Sequence, residues 1–201
     1  MQAERIDPAT IQIVPFPHPA LRHPAKPIRR VDGLLRDIVG RMFDLMYEHR
    51  GVGLAAPQVD LPLRLFVMNA SGQRGEGVER VLINPVVSRP RGSDEAEEGC
   101  LSLPGVHGIV MRPKTVHVHA YDLSGEELDE DFTGFEARVI QHEHDHLNGL
   151  LFIDRLQESA LVEIEDAVQE LVDDFRGRQR QGEIPPDETL REQLLAWESM
   201  Y

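Results

Sequence analysis

Apolar positions recur every three or four residues in four stretches of the chain, and after the first of these the repeat shortens to two. Over Asp32–Arg50, the residues Leu34, Leu35, Ile38, Val39, Met42, Phe43, Met46 and Tyr47 form the single stripe of a helix. Asp32 is its expected N-cap and Gly51 its expected terminator. Leu63–Asn69, Val81–Val87 and Lys114–Tyr121 then alternate or concentrate β-branched residues, with turn residues between them, and read as strands. Along the last of these, Val116, Val118 and Ala120 face one way and His117, His119 and Tyr121 the other. That second face is expected to meet water rather than a metal. Glu126–Phe132 reads as an acidic edge strand after a Ser124-Gly125 turn.

A second helix is expected from Gly134 to Leu147, with Phe135, Val139, Ile140 and Leu147 as its apolar members. A third begins near Ser159, where Leu161, Ile164, Val168, Leu171, Val172 and Phe175 form a stripe and acids line the outer face. Asp187–Tyr201, after Gly182 and Pro185-Pro186, carries a weaker helical pattern. Ahead of the first helix, residues 13–28 repeat proline often enough to forbid a long helix, which predicts an extended arm running over the surface. Helix, strands, helix, helix is not a βαβ alternation. The fold class is therefore α+β, with mainly antiparallel sheets packed around a central helix and a helix at the C-terminal end.

Composition narrows the functional field. The 201 residues suit one domain. A net charge of −14 argues against a broad nucleic-acid surface, so no DNA partner is expected. No stretch approaches the run of about 20 apolar residues that crosses a bilayer. Met1–Ile13 carries acids and a proline where a secretory signal needs an apolar core, so a cytoplasmic location is expected. Cys100 is the one cysteine, so an intramolecular disulfide is impossible.

The chemistry concentrates in Gln141-His142-Glu143-His144-Asp145-His146. A helix turns about 100° per residue, so His142 and His146 sit about 40° apart on one face and can grip one metal ion. Glu143 stays beside them as a general base in the HExxH manner, and His144 points away. The apolar residues on both sides of this run suggest a buried helix, where histidines and acids without partners would be costly. A catalytic metal needs a third protein ligand, which directs attention to the thiol in Glu98-Gly99-Cys100-Leu101-Ser102.

These two segments, together with Gly51-Val52-Gly53-Leu54-Ala55-Ala56-Pro57-Gln58 upstream, stand in the order found in the peptide deformylase family, which the chain resembles from about Ile13 to Leu156. The resemblance implies metal-dependent hydrolysis of the formyl group from the N-terminal formylmethionine of new proteins. Cys100, His142 and His146 would bind one divalent ion, with Fe2+ foremost and Zn2+, Ni2+ or Co2+ also accepted. Water on the metal would attack the formyl carbon, Glu143 would act as general acid and base, and Gln58 with the Leu101 N–H would hold the oxyanion. The peptide would lie as an added strand with Gly53 as a backbone partner. Its methionine side chain would enter a pocket of Val52, Phe135, Val139 and His142. Arg138 departs from an apolar lining, His107 occupies a position that varies in the family, and Arg112 and Asp145 are expected to pair behind the metal helix.

By this reading residues 1–156 form the catalytic unit and residues 157–201 a helical extension packed on it. Family tails are known to dock on ribosomes, so a transient ribosome contact is allowed, although Arg176, Arg178 and Arg180 are few among the acids of this tail. The oligomeric state is not expressed in the sequence. Two rival readings are a zinc peptidase using the same HExxH, and a non-catalytic metal-binding relative.

Overall fold

In the computed structural model, which describes residues 7–198, the first helix, α1 (Gly33–Glu48), begins where Asp32 accepts a hydrogen bond from the Leu35 N–H. It ends two residues earlier than expected. Arg50, not Gly51, takes the left-handed conformation (φ 58°) that turns the chain. Seven strands follow: β1 (Gly53–Ala55), β2 (Leu65–Met68), β3 (Arg80–Arg91), β4 (Asp94–Cys100), β5 (Leu103–Arg112), β6 (Thr115–Tyr121) and β7 (Glu127–Thr133). Then come α2 (Gly134–Leu147), α3 (Glu158–Arg180) and α4 (Asp187–Glu198). Met1 and the other residues ahead of Asp7, and the last three residues of the expected terminal helix, lie outside the described part.

Strands β1-β2-β3-β6-β7 form one antiparallel sheet in that order, and β4 and β5 form a separate hairpin. All four residues of β2 are buried because the sheet is covered on both sides there. Leu65 and Val67 join the α1 core with Leu35, Ile38 and Met42, while Phe66 and Met68 join the α2 core with Ile140 and Leu147. The period of two thus serves two cores at once. Farther along the sheet only one face is covered. Val116, Val118 and Ala120 are buried, while His117 and His119 pair with Asp129, Asp131 and Glu127 on the outer face. β7 is one edge strand, as its acidic sequence implies, and β1 is the other.

The hairpin has its own core. Leu103, Val106 and Val110 pack on Leu151, Phe152 and Leu156, and α3 closes over them with Ile164, Val168 and Leu171. The arm departs most from expectation. It is not laid over the surface: His18, Ala20 and Leu21 are buried, and Pro19–Arg22 forms a 3-10 turn against which α4 packs. Proline sets φ for that turn at no cost in lost donors, and the C-terminal helices supply the cover.

Candidate metal centre

On α2 the rings of His142 and His146 meet with centroids 5.0 Å apart, while His144 turns outward to within 3.4 Å of Arg64. The end of β4 delivers Cys100, whose Sγ lies 3.4 Å from His146 Nε2. The ligand atoms of Cys100, His142 and His146 all fall within 4.8 Å of one another, and among the described residues this is the one such group.

The arrangement fits a divalent cation on three counts. One thiol and two imidazoles form a donor set that suits several first-row metals. Burial works against a proton on His142, yet its hydrogen bonds to the Cys100 sulfur and the Glu98 carboxylate, with Glu143 close by, raise its pKa to about 10. Burial and neighbouring His142 push His146 well below its ordinary value, so its ring is neutral and free to offer a lone pair. Finally, Glu143 is 4% exposed and its Oε2 has no hydrogen-bond partner among the described residues. A buried carboxyl oxygen without a donor faces a position where a ligand or water belongs.

Glu98 organises the far side of the rings. Its Oε2 accepts from His142 Nδ1 at 3.0 Å, Arg112 donates to both its oxygens at 2.6 and 2.8 Å, and Arg138 Nη1 donates at 2.8 Å. Burial alone would raise Glu98, but these donors override it and hold its carboxyl well below the usual range. The expected Arg112–Asp145 pair is present at 2.8 Å, and Asp145 is shared with Arg155. Arg138 also donates to Val110 O at 2.9 Å and Asp94 O at 2.7 Å, so its guanidinium ties the hairpin to α2 rather than standing free in the cavity. Sequence reasoning quoted Glu98 within a motif without giving it a role. An acid two residues from the candidate ligand Cys100 is the one sequence signal that marks it.

The opposite wall comes from β1 and the turn after it. Gly53 packs directly on Glu143, since a Cβ there would stand 2.8 Å from the Glu143 Cδ. Gln58 lies in the 3-10 turn Ala56–Val59 and is 2% exposed. Its Oε1 accepts from Ala55 N at 2.9 Å, which fixes the amide so that Nε2 points at Cys100 Sγ (3.3 Å) and Ser102 Oγ (3.4 Å). A cavity of about 510 Å³ opens between the walls. Val52, Gly53, Gln58, Cys100, Leu101, Val139, His142 and Glu143 line it, with the half-exposed Phe135 also in its wall. His107 folds over Gly99 into the same cavity, as do His49 and Arg50, which the sequence did not single out.

The sequence model of the polypeptide deformylase family matches residues 10–161. The chain belongs to the peptide deformylase family. A curated peptide deformylase of Rhodopirellula baltica is 50% identical over 191 residues, covering 95% of each chain. The chloroplastic peptide deformylase 1B of Solanum lycopersicum is 44% identical over 169 residues, 84% of this chain and 61% of that one. The crystal structure of a variant of the Arabidopsis thaliana peptide deformylase 1B superposes with a TM-score of 0.81 at 38% identity, covering 87% of this chain and 94% of that chain. That of Thermotoga maritima peptide deformylase gives 0.69 at 42% identity over 73% and 97%. This is therefore an enzyme that removes the N-formyl group from nascent peptides, and the zinc-peptidase and non-catalytic readings fall.

Proposed function

We propose that Cys100, His142 and His146 hold one divalent ion, with Fe2+ as the working metal and Zn2+, Ni2+ or Co2+ able to take the same donors, and that Glu143 moves the protons. The observation that carries this reading is the buried, unpartnered Glu143 carboxyl beside the three-donor cluster. When bound, the ion supplies Lewis acidity to the water and the formyl oxygen.

The residues do the rest. Burial raises the Glu143 carboxyl to about 7, close to the value at which one group can both take and return a proton near neutrality. It accepts the proton of the attacking water and delivers it to the departing amine nitrogen. The Gln58 Nε2–H and the Leu101 N–H donate to the oxyanion as it forms. Gly53 offers its backbone to an added peptide strand, and its lack of a side chain leaves Glu143 in place. Val52, Phe135, Val139 and the His142 ring receive the methionine side chain. Residues 1–156 form the catalytic unit, with 157–201 as an extension on it, and the enzyme works in the cytoplasm. A transient contact with the ribosome would leave from Arg176, Arg178 and Arg180, because Glu158–Phe175 carries seven acids and no lysine or arginine.

Metal analysis of the purified protein combined with formate release from a formylmethionyl peptide tests this directly. Glu143→Gln is expected to keep stoichiometric metal and lose at least about 100-fold in kcat. Turnover by Glu143→Gln at the parental rate would sink the assignment.

A further inference from the structure

The arm reaches the catalytic wall through its backbone. Val14 N–H donates to Gln58 O at 2.9 Å, and Phe16 N–H donates to Ser102 O at 2.8 Å. One short segment therefore stitches together the turn that carries Gln58 and the turn that follows Cys100. Its sequence, Val14-Pro15-Phe16-Pro17-His18-Pro19, alternates residues that have an N–H with residues that lack one. Only every second position can donate, so a slip of one residue would set a proline against each loop carbonyl.

The other side of the arm is held by the C-terminal helices. His18 is 5% exposed, and its ring meets the edge of Phe175 on α3 at 6.1 Å and 90°. Its Nδ1 accepts from Ala20 N at 3.2 Å and lies 3.8 Å from Asp60, the left-handed residue (φ 62°) that closes the Gln58 turn. Next to it, α4 packs on Pro19–Arg22 with Leu190 and Leu194 buried, and Glu198 meets His23 at 2.6 Å. Helix α4 lies beyond the residues that the family model matches, which end at 161.

We propose that the arm is a clamp through which α3 and α4 fix the Gln58 amide, and that His18 is its positioning residue. His18 touches neither substrate nor metal ligands; it holds the arm, and the arm holds the Gln58 and Ser102 carbonyls. This rests on Gln58 being an oxyanion donor. A displaced donor costs rate more than binding, because it meets the substrate fully only as the oxyanion forms.

A double-mutant cycle tests the clamp, using full-length metal-loaded enzyme and a formylmethionyl tripeptide. His18→Ala, and separately Leu194→Ala on α4, are expected to lower kcat roughly tenfold with KM within about twofold. Metal content stays at parental stoichiometry, and amide exchange quickens at Val14 and Phe16. In a Gln58→Ala background the same two changes should remove nothing further, since the group they position is gone. Equal losses in both backgrounds, or parental kcat in both single variants, would overturn the clamp. Should His18→Ala not fold, His18→Asn, which keeps an acceptor for Ala20 N–H, carries the same cycle. A parental kcat in Gln58→Ala alone would instead remove the oxyanion reading on which the clamp depends.

Discussion

Behind α2, Glu98, Arg112, Arg138 and Asp145 are between 3 and 7% exposed and bond to one another and to His142. On the outer face of the sheet, Arg91, Asp129 and Asp131 surround His117 with side chains that are 47–62% exposed. The residue types are nearly the same in both places. What differs is the solvent. In water an ion pair is screened and its ends can separate at little cost. Out of water each charge must keep its partner, so the buried set works as a rigid frame whose geometry reaches the Cys100, His142 and His146 cluster through the His142 ring.

Cutting the buried frame should therefore have the largest effect. Glu98→Ala leaves Arg112 and Arg138 short of an acceptor and frees His142 Nδ1. It is expected to cost about 3–5 kcal/mol of stability and 10–100-fold in metal affinity, read by denaturant titration and competition with a chelator. If Glu98→Ala retained parental metal affinity, the contrast between the two networks would collapse. A middle-sized effect belongs to His18, a buried histidine of the arm. Burial lowers its pKa to about 4 from 6.5, so the folded state binds fewer protons than the unfolded chain. Its contribution to stability is complete above pH 6.5 and is lost as pH falls from there through about 4. His18→Gln should flatten that part of the Tm-against-pH curve, and an unchanged slope would contradict the burial argument. The smallest effect is expected outside. Arg91→Ala should leave kcat at the parental value and Tm within about 2–4 °C, and raising salt should erase even that.

The same contrast explains what the sequence disclosed. The boundaries of α2, the turning away of His144 and the alternation in β6 were legible, because each follows from a period or from spacing along one element; the Arg112–Asp145 pair joins β5 to α2 and came only with the family resemblance. The β4–β5 hairpin was not. Asp94–Cys100 carries three glutamates, one aspartate and a glycine, a composition that spells a loop. It is a strand because the adjoining β5 supplies its ladder and Arg138, 44 residues on, ties down Asp94. Cys100 reached the histidines only by family resemblance for the same reason, and Glu98 stayed without a role. Arg50 in place of Gly51 as the terminator of α1 is a smaller case: a left-handed arginine is uncommon, and residue preference points to the glycine.

The hydrogen bond between His23 and Glu198 closes a span of 175 residues. During translation the arm emerges long before α4 exists, so it must wait, together with both loops it touches, for a segment made much later. Helix α2 and the hairpin can form in the meantime from residues already at hand. Order of synthesis thus separates two milestones, a folded candidate metal centre and a finished wall around Gln58. A growing copy of this chain would reach the first well before the second.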